Sequence, residues 1–421
     1  MSANSPNPVL IIGGGIAGLT AAVELADTGV EVVLVEKSAS LGGRVARLHQ
    51  YFPKLCPPTC GLEMHYRRVR ENAGITVLTL AEVTGVTGSA GDYEVEVRVR
   101  PRFVSEACTL CGDCERVCPA ERPDEFNYGL GTTKAAYLPH GVAYPAAYAI
   151  DRAACPEGCK ACEEACKYQA IRLNAQTEVR TVKASAIVAA TGWKPYDAAK
   201  LEHLGFGQCR NVVTNVMLER MAAADGPTAG RILRPSDGKE PRTVAFVQCA
   251  GSRDENHLPY CSAVCCTASL KHAAYIRALY PETAITIFYI DVRTPGRLEE
   301  FGAKVQHDAD VRMVKGKVAR VEENPATGDL LVTAEDVLAN RKSTEHFELV
   351  VLATGIVPET EGLPAALKPD ECGFAGKNGS PGIYAAGCVC RPAEVSATVQ
   401  DATGTALKAL QCANRSVSHV R

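Results

Sequence analysis

Residues 8–44 read PVLIIGGGIAGLTAAVELADTGVEVVLVEKSASLGGR. Val9 to Ile12 form a continuous apolar run, the signature of a strand buried on both faces of a parallel sheet. Gly13, Gly15 and Gly18 then supply G-x-G-x-x-G. Ile16, Leu19, Val23 and Leu25 recur at helical spacing, Gly29 closes the helix, and Val32 to Val35 form a second buried strand ending in Glu36. Strand, glycines, helix, strand and acid in this order make a complete βαβ dinucleotide-binding unit, where a lone glycine triplet would mark only a glycine-rich turn. The first glycine makes the tight turn, the second lets backbone approach a pyrophosphate, and the third lets helix and strand pack closely. The phosphates then meet the positive end of the helix, and Glu36 is placed to accept from a ribose. Gly42-Gly43-Arg44 extends the pattern. A second glycine pair followed by Arg is typical of FAD enzymes, in which the nucleotide lies extended. FAD is therefore expected in preference to NAD, held by Gly13, Gly15, Gly18, Glu36, Lys37, Gly43 and Arg44.

The 421 residues suit two or three domains, and 46% apolar against 22% charged residues suits a globular protein with a large core. A net charge of −3 offers no basic footprint for nucleic acid. The longest apolar runs, near Ile187 and Val350, are about ten residues, against roughly 20 for a membrane span, so no direct span is expected. The opening MSANSPNP has neither a basic n-region nor an apolar h-region, so a cytoplasmic chain is expected. In such a chain 19 cysteines point to metal more than to disulfides.

Those cysteines are clustered. Cys108-x2-Cys111-x2-Cys114-x3-Cys118-Pro119 has bacterial ferredoxin spacing. Cys155-x3-Cys159-x2-Cys162-x3-Cys166 follows, with one extra residue in its first gap and Lys167 in place of Pro. In this arrangement three close thiolates reach one cubane and the distant fourth ligates the other cluster of the pair. The expected sets are Cys108, Cys111, Cys114 and Cys166 on one [4Fe–4S] centre, and Cys155, Cys159, Cys162 and Cys118 on the other. Zinc ribbons use two separated C-x-x-C pairs, a different pattern. Cys56-Pro-Pro-Thr-Cys60 is one residue longer than a redox pair and reads as a rigid turn with two thiols, or as a redox or substrate-facing pair near the flavin.

Residues 74–100 alternate apolar and polar and read as antiparallel strands. Ala186 to Ala190 reads as a buried strand ended by Thr191-Gly192, and Leu349 to Leu352 repeats it before Ala353-Thr354-Gly355. The near repeat marks the exit to, and return from, a second α/β domain. That domain would need its own glycine fingerprint to bind NAD(P)H. Its first strand, Thr243 to Cys249, is followed by Ala-Gly-Ser-Arg-Asp, then by Cys261-x3-Cys265-Cys266. Four cysteines stand where a pyrophosphate would lie, either as buried structural thiols or as a third cluster site. A helix is expected over Thr267–Tyr280, a strand over Ala284–Ile290, and strands over 311–352 with a turn at Asn324–Gly328. Gly382 to Cys388 matches the strand that ends against a flavin ribitol, with Cys388 where Asp is usual after Gly387. A last helix is expected over Thr398–Leu410. Cys209, Cys372, Cys390 and Cys412 read as structural, and the nine histidines are scattered, His257 alone lying close to a cysteine of the motif.

The order of FAD fingerprint, ferredoxin insert, CAGSRDE…YCSAVCC and AAGC resembles the family of the heterodisulfide reductase A subunit. YFPKLCPPTCGLE, ATGWKPYDAAK, ILRPSDGKE and QCAGSRDENHLPYC are similar to the branch formed by the A subunits of quinone-interacting membrane-bound oxidoreductases, and the end at Arg421 favours that shorter branch. The resemblance implies a two-domain, thioredoxin-reductase-like α/β flavoprotein: a Rossmann-type FAD domain plus a second α/β domain, with an inserted ferredoxin-like domain. The expected segments are 1–100, 176–199 and 356–421 for the FAD domain, 101–175 for the insert and 200–355 for the second domain. It implies cluster ligation by Cys249, Cys261, Cys265 and Cys266, and FAD contacts by Thr191, Gly192, Gly355, Gly387 and Cys388. The implied partners are a heterodisulfide-reductase-like B subunit, with a membrane quinone-binding C subunit that attaches the complex peripherally to the inner face of the membrane. Adenylylsulfate reductase is the implied electron partner. A relay, a bifurcating flavoprotein and an NAD(P)H-dependent flavin disulfide reductase are the readings left open.

Overall fold

The computed structural model describes residues 7–307, 311–376 and 379–418; residues 1–6, on which most of the leader expectation rests, lie outside them. The chain forms two compact units. Unit 1 comprises Met1–Ala46, Thr59–Trp193 and Pro358–Arg421; unit 2 comprises Arg47–Pro58 and Lys194–Val357. Arg47–Pro58, placed by the sequence reading within 1–100, thus clusters with unit 2.

Unit 1 starts with β1 (Val9–Ile12), α1 (Ile16–Ala26) and β2 (Val32–Glu36), followed by α2 (Thr59–Glu71), β3 (Ile75–Thr79), β4 (Ala81–Ser89) and β5 (Asp92–Val99). Val9, Leu10 and Ile11 are fully buried, as their unbroken apolar run requires. The stretch 74–100 divides. β4 and β5 pair antiparallel, but β3 pairs parallel with β2 and extends the main sheet. Alternation marks a half-exposed strand whatever its direction, so it could not separate the two cases.

The segment that follows carries α3 (Asp113–Arg116), the hairpins β6 (Glu121–Pro123) with β7 (Thr132–Lys134) and β8 (Ala136–Tyr137) with β9 (Ala149–Ile150), and α4 (Ala161–Ala165). Its core joins Val104, Ala135, Ile150 and Ile171 to Cys114, Cys118 and Cys162. Arg102 fastens it to the rest of unit 1, donating to Ala147 O at 3.1 Å and Thr79 Oγ1 at 2.9 Å. The chain returns through β10 (Glu178–Ala184), antiparallel to β5, and β11 (Ala186–Ala189), parallel to β1.

β12 (Trp193–Pro195) leads into unit 2: β13 (Val212–Thr214), α5 (Asn215–Ala222), β14 (Thr243–Ala250), α6 (Cys265–Leu279), β15 (Ala284–Tyr289), α7 (Leu298–Gln306) and β16 (Val311–Lys315). An antiparallel meander of β17 (Val318–Glu323), β18 (Leu330–Asp336) and β19 (Arg341–Phe347) precedes β20 (Leu349–Thr354) and β21 (Ile356–Pro358). The parallel sheet of unit 2 has the order β13-β20-β14-β15-β16. α6 begins two residues before its expected start, which puts Cys265 and Cys266 in its first turn. Unit 1 closes with β22 (Ile383–Ala385) and α8 (Val395–Ser418), giving its sheet the order β22-β11-β1-β2-β3. No helix of the described residues is long and apolar enough to cross a membrane.

Candidate functional site

The glycine loop of unit 1 is shaped by contacts that no side chain would allow. Gly13 has φ +104°, and a Cβ there would lie 2.3 Å from Ala190 O. A Cβ on Gly18 would lie 1.8 Å from Gly13 O, so only glycine lets α1 pack this close to the turn. Gly15 caps α1 without a side-chain bond, and the first turn holds no acid. Gly43, at φ +54°, faces it, and a Cβ there would come 2.9 Å from Gly15 Cα. Two facing glycines leave a backbone-walled groove at the positive end of a helix, which fits a pyrophosphate.

Buried Glu36 accepts from Gly14 N at 2.6 Å and Ser38 N at 2.7 Å, so the acid first holds the glycine loop itself. A carboxylate has about four acceptor sites, which leaves capacity for a ribose. Arg44 Nε donates to Trp193 O at 3.0 Å, and its guanidinium lies 5.6 Å from the Trp193 ring and 5.7 Å from the Tyr128 ring. Thr191 Oγ1 donates to Glu359 O, and Gly192 O accepts from Glu359 N at 3.0 Å. Lys37 instead pairs at the surface with Glu361 at 3.2 Å and Glu82 at 3.9 Å. Gly355 lies in unit 2, where a Cβ would meet Ser252 Oγ at 2.2 Å.

At the end of β22, Gly387 has φ +77° and its N–H donates to Asp401 Oδ2 at 2.8 Å. The Cys388 thiol turns toward Ala393 O, 3.4 Å away, and burial pushes it up. A neutral buried thiol is a poor replacement for the usual acceptor. Asp401 brings a carboxylate to the same turn from α8, a residue that the sequence reading missed. Its only sequence signal is one acid facing a run of small residues in that helix.

In the inserted segment Cys108, Cys111, Cys114 and Cys166 line one small cavity together with Tyr148 and Tyr168. Burial pushes the Cys114 thiol up to about 12. The other four thiols lie within electrostatic reach of one another. Burial raises Cys155, with Cys118 and Cys159 adding to it, and burial raises Cys162, with Cys155 and Cys118 adding. Among the described residues no three His, Cys, Asp or Glu side chains converge as on a single metal ion. A cubane spreads its thiolates over separate corners, so thiols around a cavity suit a cluster better than a mononuclear ion.

In unit 2 the corresponding loop leaves β14 through Cys249 at φ +57° and Arg253 at φ +55°, and reaches α6 through Ala263 at φ +61°. Non-glycine residues in this region cost roughly 1–3 kcal/mol each and persist only when their surroundings fix them. Here Ser262 Oγ sits 2.8 Å from Ser252 Oγ and accepts from Ile356 N at 2.9 Å, while Tyr260 OH donates to Ile356 O at 2.9 Å. His257 Nδ1 lies 2.7 Å from Tyr196 OH, a packing partnership within the loop wall. The loop gathers four thiols. Burial pushes Cys249 up to about 11, with Cys266 and Cys261 adding and Arg253 opposing. Cys265, wholly buried, is raised by burial and then by Cys249, Cys266 and Cys261. None of the twelve clustered cysteines forms a disulfide. Buried neutral thiols are poor nucleophiles, but they exchange their protons for a soft metal centre.

Comparison with known proteins agrees with this geometry. A model of NAD(P)-binding Rossmann-like domains matches residues 11–69. The chain is 38% identical over 416 residues to the A subunit of the H(2):CoB-CoM heterodisulfide,ferredoxin reductase of Methanothermobacter marburgensis, covering 95% of this chain and 63% of that one. It is 40% identical over 419 residues to the iron-sulfur A subunit of the CoB–CoM heterodisulfide reductase of Methanocaldococcus jannaschii, covering 94% and 63%. Over nearly its whole length the chain is thus similar to A subunits of heterodisulfide reductases. It spans less than two thirds of the length of these relatives. Among solved structures, T. acidophilum thioredoxin reductase superposes with a TM-score of 0.53 at 15% identity, covering 98% of this chain and 99% of that one. Bacillithiol disulfide reductase from Bacillus cereus gives 0.52 at 16%, covering 97% and 99%. The chain thus has a thioredoxin-reductase-like α/β fold.

One further constellation escaped the sequence reading. Glu219 of α5, buried in unit 2, accepts from Lys271 Nζ at 2.9 Å, from Tyr275 OH at 3.3 Å and from His49 N at 2.7 Å, with His272 Nε2 at 2.6 Å. Burial alone would raise its carboxyl, but Lys271 and His272 outweigh burial and hold it well below the usual range. Lys271 also donates to Gln50 O at 2.8 Å, which ties the segment Arg47–Pro58 to α6. The available signal was the pair Lys271-His272 between the apolar residues Leu270 and Ala273 of α6.

Proposed function

We propose that this chain is an FAD- and [4Fe–4S]-containing oxidoreductase subunit that transfers electrons within a heterodisulfide-reductase-like complex. Unit 1 would bind FAD through Gly13, Gly15, Gly18, Glu36, Gly43, Arg44, Thr191, Gly192 and Gly387. The insert over 101–175 would hold two clusters, on Cys108, Cys111, Cys114 and Cys166 and on Cys118, Cys155, Cys159 and Cys162. Cys249, Cys261, Cys265 and Cys266 would hold a third. FAD exchanges electrons in pairs or singly and each cluster exchanges one, so the bound groups supply a two-electron to one-electron junction.

The observation that carries this reading is the loop after β14. A pyridine-nucleotide reductase needs glycines there, and this chain has four thiols on a loop fixed by Ser252, Ser262 and Tyr260. The protein's part is to hold the glycine groove open, hold Glu36 against the loop amides, and set how far the thiols are shielded from water, with Cys114, Cys118, Cys162, Cys265 and Cys266 buried. The names of the relatives support the complex. The finer assignment follows the quinone-linked branch: a B subunit, a membrane quinone-binding C subunit with peripheral attachment at the cytoplasmic face, and electron exchange with adenylylsulfate reductase. A bifurcating flavin is the second reading, favoured by the M. marburgensis name, which joins a heterodisulfide and a ferredoxin.

An anaerobic titration of the purified chain with NADH, NADPH and then dithionite tests the proposal. No bleaching of flavin or cluster absorbance by either nucleotide, with full bleaching by dithionite, is the expected result. Rapid bleaching by a nucleotide would overturn it in favour of a flavin disulfide reductase. In the same titration, widely separated one-electron flavin potentials would select bifurcation over relay.

A further inference from the structure

Two arginines approach the four-cysteine loop of unit 2, and one acid joins them. Asp291, just beyond β15, accepts from Arg253 Nη1 through Oδ1. The same carboxylate meets Arg293 Nε at 3.1 Å and Nη2 at 3.2 Å. The main-chain carbonyl of Asp291 lies 3.7 Å from Cys266 Sγ. The charge of Arg253 opposes the upward push of burial on Cys249, and that of Arg293 opposes it on Cys266. The clamp thus sits beside Cys266 through Asp291 and rises from the loop that follows Cys249 through Arg253. Arg253 reaches inward from a left-handed backbone position, and its side chain is 23% exposed against 48% for Arg293.

We propose that Arg253 and Arg293, joined through Asp291, are positioning residues that set the reduction potential of the centre held by Cys249, Cys261, Cys265 and Cys266. The inference rests on the reading that these cysteines ligate a cluster. Reduction adds one negative charge to the site. N–H donors and cations aimed at the sulfurs stabilise the reduced form and raise its potential. Two arginines and one aspartate carry a formal charge of +1 together. Losing an arginine leaves the remaining pair neutral, whereas losing the aspartate charge leaves two unopposed cations. The two kinds of variant therefore move the potential in opposite directions, which mere loosening of the loop would not do. Arg253, the less exposed, is the less screened by water and carries the larger share.

The test is an EPR-monitored redox titration of the full chain carrying its flavin and clusters, with iron measured in each preparation. The relevant signal is the one lost in Cys265→Ala. Arg253→Gln should shift its oxidised-to-reduced ratio about tenfold toward oxidised, or about 59 mV more negative for one electron. Arg293→Gln should shift it the same way by less, and Asp291→Asn should shift it positive. Arg253→Lys keeps the charge but not the fork and should recover part of the shift. Unchanged midpoints in both glutamine variants, or a negative shift in Asp291→Asn, would overturn the proposal. If Arg253→Gln loses iron, Arg253→Lys and Asp291→Asn decide it by the sign of their shifts. If Cys265→Ala loses no iron and no signal, the ligand reading fails, a result distinct from failure of the clamp.

Discussion

After β1 the chain enters α1 through Gly13, Gly14 and Gly15; after β14 it enters α6 through a loop from Gly251 to Val264 with Cys249 at its root. Both turns leave the carboxyl end of a strand in a parallel sheet, the place where such sheets bind ligands. The first turn is short and bare, with backbone alone walling a groove at the positive end of α1. The second is long and strained, pinned by serine and tyrosine hydroxyls, and it presents thiols. The fold supplies the position, and the loop residues set its chemistry: bare backbone suited to a phosphate in one, thiols suited to a soft metal centre in the other.

The sharpest way to break the comparison is to give each loop a Cβ. Gly18→Ala places a carbon 1.8 Å from Gly13 O, and roughly 3 kcal/mol or more of stability should be lost along with flavin. Gly251→Ala drives into the Tyr196 ring and should lower iron content while flavin stays. Flavin and iron per chain, with thermal midpoints, check both; loss of flavin in Gly251→Ala would show that the loops are not independent. Cys265→Ala should remove about four irons with flavin retained, and Cys111→Ala should remove a different cluster signal. Unchanged iron in either variant would sink that ligand assignment.

A smaller effect is expected from acid. Burial lowers His272 and His49, and a histidine lowered on folding contributes stability above its unfolded value near 6.5 that is lost as pH falls. Glu219, also lowered, adds its loss only at lower pH. Lys271, Arg220, Asp225 and Tyr275 complete the charged and titratable surroundings of these groups. The thermal midpoint should therefore drop by a few degrees between pH 7.5 and 5.5, and by less in His272→Gln. An equal drop in both would remove His272 from the account. The smallest effect belongs to Lys37→Ala, within about 0.5 kcal/mol, since its ion pairs are exposed. Loss of flavin in that variant would return Lys37 to the cofactor site.

Much was legible along the chain because it depends on near neighbours. The apolar runs at Val9–Ile12 and Leu349–Leu352 had to be buried strands, and the glycine order had to make a tight βα turn. The spacing of Cys108, Cys111 and Cys114 grouped them without any fold. What escaped depended on partners far apart in sequence. Alternation over 74–100 could not reveal that β3 joins β2 in parallel, because a strand's direction is set by its neighbour. Asp401 at Gly387, Tyr128 at Arg44 and Glu219 at Lys271 are contacts across 14, 84 and 52 residues.

The sequence by itself determined two dinucleotide-type α/β modules, an inserted cysteine-rich segment, and a second module without the glycines to hold a pyrophosphate. These follow from periodicity and spacing, which are local properties of the chain. Only the tertiary structure decided that Asp401 accepts from the Gly387 N–H beside Cys388, that Glu219 gathers Lys271, His272 and Tyr275, and that Asp291 joins two arginines beside Cys266. Those meetings depend on how helices and strands pack, and packing brings side chains together with no regard to their distance along the chain.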